Sequence, residues 1–163
     1  MAVWLAEDPQ LAPPLPPPTI AGRARASASF CCPSDSLSAI NDQIVPPHSH
    51  DLSVPRHTFW NHLGSKEWLQ YDFVSPARVG SVEVYWFDDR DTGGCWVPES
   101  WRLLYSQGDA WKPVTGASTF GTEVDRLNRT TFDPIETNAL RIELQLQEDR
   151  SAGVLEWRVH ETP

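Results

Sequence analysis

Residues 81–114 read SVEVYWFDDRDTGGCWVPESWRLLYSQGDAWKPV, and this stretch decides the fold. Its first residues alternate at a period of two, so Val82, Val84 and Trp86 share one face of a strand. A polar loop with two adjacent glycines follows at 88–94, and a second alternating segment and a turn come after it. Strands joined by a long polar loop predict an antiparallel sheet with a binding loop at one end.

Further alternating segments supply the other strands. Residues 31–41 predict an irregular or short helical segment, and 42–67 predict a long loop, because three prolines and four histidines interrupt it. The additional predicted strands are 24–30, 68–73, 131–135, 140–147 and 154–160. About eight short strands without helical periodicity indicate an all-β antiparallel sandwich or jelly roll.

Size and charge exclude several classes of protein. The chain has 163 residues, enough for one domain, and a formal net charge of −9. This acidic balance argues against nucleic acid and anionic membranes as partners, because both attract Lys and Arg. No run approaches the roughly 18 apolar residues of a membrane-spanning helix. The eight tryptophans suit both a sandwich core and platforms for sugar rings, and composition does not separate these uses.

The first 23 residues differ from the remainder. Residues 6–22 read AEDPQLAPPLPPPTIAG and predict an extended proline-rich linker. VWL at 3–5 is typical of the last strand of an upstream domain. We therefore predict a linker with the end of another domain at 1–23, and the β-sandwich at 24–163. No signal peptide is visible, so the sequence does not decide the localisation. Export as part of a larger enzyme is one of the options that stay open.

Cysteines and histidines give no framework of bridges or metal ligands. Cys31 and Cys32 are adjacent, so only one of them can reach Cys95. Free thiols are the prediction, and a single bridge stays open for an exported protein. Four histidines within 48–62 lack the spacing that would bring two onto one face, so no transition-metal site is predicted from them.

Six segments in order resemble the discoidin, or coagulation-factor type C, domain. They are SLSAIND, HTFW, EWLQYDFVSPARVGSVEVYWF, VPESWRLLYSQGDAWKPV, ALRIELQ and GVLEWRV, and the likeness covers about 24–161. It implies the galactose-binding-like jelly roll of many carbohydrate-binding modules. FDDRDTGGCWVPESWRLLY and LNRTTFDPI more narrowly resemble the C-terminal module of bacterial β-L-arabinofuranosidase-type glycoside hydrolases.

The resemblance implies a structural calcium ion. The ligands it implies are carboxylates of Asp42 and Glu156, the carbonyl of Ala39 and the hydroxyl of Thr58, which are oxygen donors suited to a hard cation. The sequence has Asp42-Gln43 where the family usually has Asp-Gly. The alternative is that Asp42 caps a turn and Glu156 faces solvent.

The resemblance also implies a sugar site on loops at one end of the sandwich. Such a site needs an aromatic face and charged groups with fixed hydrogen-bond geometry. The candidates are Trp96, Trp60, Arg56, His57, His62, Asp88, Asp89 and Arg90. Trp96 is the main candidate for stacking, because it follows Gly93-Gly94 in a polar segment. Core positions are predicted for the tryptophans in strand-like segments, Trp68, Trp86, Trp101, Trp111 and Trp157.

The predicted function is a non-catalytic carbohydrate-binding module on a glycoside hydrolase, with an arabinose-containing glycan as a candidate ligand. Asp88 and Asp89 do not make a catalytic pair, because neighbours on an extended chain point in opposite directions. Two alternatives stay open: an accessory module that packs on its parent enzyme, and a protein- or lipid-binding discoidin domain.

Overall fold

Alternating apolar side chains build the two layers of an antiparallel β-sandwich in the computed structural model, which describes residues 17–163. The VWL segment and most of the predicted linker lie outside the described residues. The described part contains helix α1 (Ile20–Arg23), a 3-10 helix (Leu37–Asn41) and the strands β1 (Arg25–Ala28), β2 (His57–Thr58), β3 (Lys66–Phe87), β4 (Ser100–Gln107), β5 (Ala110–Pro113), β6 (Leu127–Gln145) and β7 (Gly153–Glu161).

Two long strands, β3 and β6, run through both layers. A register shift between Asp72 and Ala77 separates the two halves of β3. The first half pairs with β1 and the second half with β7, while β6 follows β3 on both sides of the shift. The layers are therefore β1–β3–β6–β4–β5 and β2–β7–β3–β6. The prediction of separate short strands was wrong here, because an irregularity bends each strand without ending it.

Pro134 marks an edge in β6. The segment 131–135, predicted as a separate short edge strand, is part of β6, which already begins at Leu127. Its neighbour in this layer is β3 alone, since β4 pairs with the later residues 140–145. A proline is tolerated there because an edge strand does not need every backbone N–H for pairing.

The predicted core faces are confirmed for the central strands. Val82, Val84, Trp86, Leu69, Tyr71, Phe73, Trp101, Leu103, Leu140, Ile142, Leu144 and Leu146 all belong to the main cluster of buried residues. Trp157 is buried there as well, stacked on Tyr71 with ring centroids 4.0 Å apart. These residues came from the period of two alone, because a strand with one buried face shows that period directly in its sequence.

Two tryptophans predicted for the core lie outside it. Trp68 and Trp111 are half-exposed on the outer face of the first layer. The guanidinium of Arg141 lies 4.6 Å from the ring centre of Trp68 and 4.3 Å from that of Trp111. Trp68 precedes the inward-facing Leu69, so alternation turns its indole outward.

The final strand contains a register shift that the alternation does not reveal. Leu155, Trp157 and Val159 were predicted on one face of β7. Trp157 and Val159 join the main cluster, but Leu155 packs with Tyr85 and Phe87 in a second cluster. The shift in the pairing of β3 with β7 changes the face, because one extra residue inverts the order of inward and outward side chains.

The packed domain begins before the predicted boundary at 24. Ile20 and Ala21 of α1 are buried in the main cluster. The hydroxyl of Thr19 accepts a hydrogen bond from the N–H of Gly22 at 3.0 Å and caps this short helix. Within residues 17–163, no helix is long and apolar enough to cross a membrane.

All three cysteines are free in this structure. Cys31 is half-buried, whereas Cys32 and Cys95 are buried. Burial raises the pKa of Cys95 to about 12. We expect a thiol reagent at pH 8 to modify Cys31 first and the other two only after unfolding, because the thiolate reacts and must be reached. Timed titration of native and denatured protein checks this, with Cys31→Ser as the control; prompt modification of all three would contradict it.

Candidate functional site

The loops at one end of the sandwich enclose a cavity of about 540 Å³. It is called here the loop-end cavity and is defined by Asp35, Arg56, Trp60, Phe87, Asp89 and Gly94. The long loop before β3 supplies Arg56 and Trp60, and the loop after β3 supplies Asp89 and Gly94. A cavity with one aromatic wall and several charged groups has the composition of a small-ligand site.

Trp60 provides the exposed aromatic surface of the cavity. Its side chain is 45% exposed, although it is large and apolar. The indole lies against the backbone of Gly94, where an added Cβ would come within 2.3 Å of the six-membered ring. Glycine at this position therefore allows the indole to approach the backbone of the loop closely.

Arg56 is the cation of the loop-end cavity. Its Nε lies 3.4 Å from the Oδ1 of Asp35, and its guanidinium lies 5.3 Å from the ring centre of Phe87. The hydroxyl of Thr58 donates to the other oxygen of Asp35 at 2.6 Å. Because the ion pair uses Nε, the two terminal NH₂ groups of Arg56 are the donors available to a ligand.

Asp89 is held by the loop that it begins. Its Oδ1 accepts the N–H of Cys95 at 2.7 Å. Its main-chain carbonyl accepts the N–H groups of Thr92 and Gly93 at 2.8 and 2.6 Å. An added Cβ at Gly93 would lie 2.0 Å from the carboxylate, so glycine is needed there too. The second carboxylate oxygen of Asp89 is available as an acceptor on the cavity wall.

Asp88, Arg90 and Trp96, which the sequence also proposed, stabilise the loop and do not line the cavity. Arg90 donates to both oxygens of Asp88, at 2.8 and 2.6 Å. Burial raises the pKa of Asp88, but the hydrogen bonds from Arg90 outweigh this and lower its pKa overall. The guanidinium groups of Arg90 and Arg150 lie 5.2 and 4.6 Å from the ring centre of Trp96, so cations already cover this ring.

His62 and His57 lie outside the cavity lining. His62 stacks on Phe30 at 4.1 Å, and its Nδ1 lies 2.6 Å from a carboxylate oxygen of Glu67. His57 is buried in β2, with its Nε2 3.0 Å from the carbonyl of Phe30. Burial lowers the pKa of His57, so the neutral imidazole is favoured in the folded protein.

Two carboxylates meet at the other candidate site. Glu156 of β7 is buried, and its Oε2 accepts the N–H of Gln43 at 3.2 Å. Asp42 ends the 3-10 helix, and its Oδ1 accepts the N–H of Ile44 at 2.8 Å. Burial and then the charge of Asp42 raise the pKa of Glu156 to about 8, although Arg158 lies 3.6 Å away. A buried carboxylate beside a second one is a charge arrangement that fits a cation.

The other implied calcium ligands differ in how well they fit. Ala39 lies in the 3-10 helix that leads directly to Asp42. The hydroxyl of Thr58 instead donates to Asp35 at the loop-end cavity. Among residues 17–163, no group of three or more His, Cys, Asp or Glu side chains is placed to hold a metal ion. A calcium ion at Asp42 and Glu156 would therefore need backbone carbonyls as further ligands.

Comparison with known families identifies the fold family. The model of the F5/8 type C domain matches residues 43–157. The chain belongs to the F5/8 type C domain family. The predicted resemblance to the discoidin, or coagulation-factor type C, domain is confirmed, and so is the predicted all-β fold class.

Several solved structures have the same fold. A chain of the β-galactosidase BgaA from Streptococcus pneumoniae is 22% identical, with a TM-score of 0.74, over 85% of this chain and 92% of that chain. The family 32 carbohydrate-binding module of NanJ from Clostridium perfringens, solved with galactose, is 17% identical, with a TM-score of 0.65. The match covers 86% of this chain and 95% of that chain. A module of the same organism in complex with GalNAc-β-1,3-galactose is 10% identical, with a TM-score of 0.64. The match covers 86% of this chain and 96% of that chain. At these identities the likeness establishes the fold.

In this F5/8 type C domain the sequence missed part of the cavity. Asp35 was not among the predicted site residues, yet it contacts both Arg56 and Thr58. Thr92 also lines the cavity and lies 3.1 Å from the Nε2 of His50. No local pattern marks Asp35 as a site residue, because its partners come from a distant part of the chain.

Proposed function

We propose that this F5/8 type C domain is a non-catalytic carbohydrate-binding module that binds a glycan in the loop-end cavity. The observation that carries the proposal is the half-exposed indole of Trp60, which lies beside Arg56 and Asp89 in one cavity. Covering the apolar surface of an exposed tryptophan with a ligand is favourable, because it removes that surface from water. The C–H face of a sugar ring is such a ligand.

Charged groups around Trp60 suit the hydroxyls of a sugar. The NH₂ groups of Arg56 donate, and the carboxylate of Asp89 accepts. A sugar hydroxyl does both, so adjacent hydroxyls can bridge a cation and a carboxylate. Because such a ligand buries few atoms, we expect a dissociation constant on the order of 0.1 to 1 mM for a single sugar.

The ligands of the solved modules and the resemblance of the sequence suggest which sugars to test. Galactose and GalNAc-β-1,3-galactose are bound in two of the similar structures. The resemblance to the module of β-L-arabinofuranosidase-type enzymes adds arabinose-containing glycans. A fucosidase chain of Bacteroides thetaiotaomicron has a similar fold over 28% of its length, with a TM-score of 0.62. This supports attachment to a glycoside hydrolase as the role of the domain.

The hydrogen bonds of Asp88 and Asp89 support a role without catalysis. Asp88 is occupied by Arg90, and one oxygen of Asp89 is occupied by the N–H of Cys95. Glycoside hydrolysis needs two carboxyl groups on opposite sides of the scissile bond, one of them able to give up a proton. Asp88 and Asp89 do not meet this requirement.

Calorimetry tests the proposal. Galactose, N-acetylgalactosamine and arabinose-containing oligosaccharides are titrated into the full chain at high protein concentration. Binding by any of these sugars, with a matching loss in Trp60→Ala, supports the proposal. Absence of binding to all of them up to about ten times the expected dissociation constant would contradict it.

Gly94→Ala is expected to change the affinity for the glycan without changing the stability of the domain. The added methyl would meet the indole of Trp60 at 2.3 Å, so the ring must move out of the cavity. We expect affinity to fall about tenfold with little change in melting temperature, because Trp60 is half-exposed already. Calorimetry and thermal melts measure the two effects.

Gly108→Ala is the matched control. Gly108 has a φ of 62° and open space around the position of an added Cβ. We expect this variant to lose about 1 kcal/mol of stability and to keep its affinity. Equal losses of affinity in both variants would mean that Gly94 acts through general stability and not through Trp60.

The proposal includes a structural calcium ion held by Asp42 and Glu156. What supports it is the burial of Glu156 and the proximity of the second carboxylate. Calcium would supply a positive charge that removes the repulsion between the two groups. Ala39 is the proposed source of a carbonyl, and Thr58 is left out because Asp35 already accepts its hydroxyl.

A further inference from the structure

A second groove lies on the outer face of the first layer, on the strands β3, β6 and β4. Its volume is about 490 Å³, and it shares no lining residue with the loop-end cavity. It is called here the sheet-face groove and is defined by Lys66, Trp68, Ser100, Arg102, Glu143 and Gln145.

Strand register sets these six side chains in two rows. Gln145 is paired with Lys66 on one side and Ser100 on the other. Glu143 is paired in the same way with Trp68 and Arg102. Adjacent strands are about 4.8 Å apart, so three of them span roughly 10 Å, the width of two sugar rings. Rigid strands hold the two rows in place, in contrast to the loops of the first site.

The polar groups of the groove keep unused hydrogen-bonding capacity. Arg102 donates twice to the Oε2 of Glu143, at 2.8 and 2.5 Å, which leaves Oε1 as an acceptor. The Nε2 of Gln145 donates to the carbonyls of Gly64 and Leu146, which leaves its side-chain oxygen as an acceptor. Lys66 is exposed and adds a donor. Donors and acceptors therefore alternate across the groove.

Trp68 is held in a fixed orientation at the side of the sheet-face groove. One guanidinium, that of Arg141, lies over its ring, whereas two lie over the ring of Trp96. Arg141 is itself fixed by hydrogen bonds to the side-chain oxygen of Gln70, at 3.1 and 2.7 Å. A tryptophan with a fixed ring loses little conformational entropy when a ligand covers it.

From this geometry we infer that the sheet-face groove is a second glycan-binding site, which takes two or more consecutive sugars of one chain. The inference rests on the proposed function, since it needs a protein whose ligand is a glycan. A standard protein–protein interface covers roughly 800 Å² on each partner, which is far more than the nine residues lining this groove present.

Two sites on one domain predict avidity for long glycans. A polysaccharide that reaches both the loop-end cavity and the sheet-face groove binds the second site intramolecularly, at an effective concentration in the millimolar range. Short oligosaccharides bind one site at a time and gain nothing. We therefore expect the polysaccharide to bind at least about tenfold more tightly per chain than the matching tetrasaccharide.

The test follows the tryptophan indole N–H signals by NMR during titration with galactotetraose and arabinotetraose. It uses the full chain as wild type and as Trp60→Ala, with the signal of Trp68 assigned from Trp68→Phe. We expect the Trp68 indole and the side-chain amide of Gln145 to shift in both proteins, because the second site does not need Trp60. Trp68→Ala should abolish the shift of Gln145 and weaken polysaccharide binding about tenfold.

Trp111→Ala is the matched control. Trp111 also lies half-exposed on this face and also contacts Arg141, but it does not line the groove. Its loss should leave the titration of Gln145 unchanged. The inference is overturned if Trp68 and Gln145 stay unshifted at about 20 mM of either probe, or if Trp111→Ala has the same effect as Trp68→Ala. A shift at Trp68 without one at Trp60 would reject the loop-end site and keep this one.

Discussion

Trp60→Ala is expected to weaken glycan binding about thirtyfold while the domain stays folded. Removing a tryptophan that covers a ligand costs about 2 kcal/mol when the indole supplies the main apolar contact. The indole of Trp60 is the exposed aromatic surface of the loop-end cavity, and its exposure limits its contribution to the core. The expected change in melting temperature is therefore small. Calorimetry with the best sugar of the panel measures the loss.

Two further variants make this result specific to the cavity. Trp60→Phe keeps an aromatic face of smaller area and should recover part of the affinity. Trp96→Phe alters the ring that lies beside Arg90 and Arg150, outside the cavity, and should bind as wild type does. If Trp96→Phe loses affinity and Trp60→Ala keeps it, the sugar lies on the loop surface around Trp96 and the cavity proposal is wrong.

The different positions of Trp60 and Trp96 illustrate why local sequence could not predict which tryptophan lines the cavity. Trp96 follows two glycines and was therefore predicted to be the exposed platform. Gly94 does permit an indole close against the backbone, but the indole belongs to Trp60 from a different loop. Trp96 instead lies beside Arg150, which comes from the turn before β7. Both contacts join distant parts of the chain, and no spacing within the sequence records them.

The strands were predictable to the extent that burial is one-sided. Alternation identified the inward faces of β3, β4 and β6, because each of these strands turns one face to the core. It failed at Leu155, where a register shift inverts the faces. The error at Trp68 has another cause, since its size suggested the core although its position in the alternation points outward. For Trp68 the period of two was the better guide than residue type.

Asp35 shows the same limit for a polar group. Arg56 was predicted as a candidate for the sugar site, but Asp35 was not, because nothing among its neighbours in the sequence distinguishes it. In the fold they form an ion pair with Thr58 on the second carboxylate oxygen. The carboxylate of Asp35 and the guanidinium of Arg56 hold each other in position. Asp35 can therefore be recognised as part of the cavity only in the folded structure.

Removal of the proposed calcium ion is expected to destabilise the domain most at alkaline pH, through Glu156. The pKa of this carboxyl group is raised by burial and by Asp42 from 4.5 to about 8. An acid that binds its proton more tightly in the folded state loses folding stability as pH rises, since folding then requires a costly ionised group. The stabilising contribution is complete below pH 4.5, falls between 4.5 and about 8, and is absent above that range.

The size of the effect follows from the shift. Without calcium, we expect the free energy of unfolding to fall by about 4 kcal/mol between pH 4.5 and 8 relative to Glu156→Gln, which has no proton to lose. Urea denaturation in a chelator measures this difference across the pH range. Glu161→Gln removes an exposed carboxylate of the same strand and should behave as wild type does.

Added calcium should reverse the loss in wild type alone. The ion binds the ionised carboxylates, so its stabilising effect grows over the same pH range in which the buried charge becomes costly. Glu156→Gln and Asp42→Asn each remove one of the two charges and should respond weakly.

If wild type loses stability towards pH 8 and calcium does not restore it, then Asp42 and Glu156 form a strained carboxylate pair without a resident ion. If wild type and Glu156→Gln have the same pH profile in the chelator, then neighbouring groups already compensate the charge of Glu156, and a cation is not needed there.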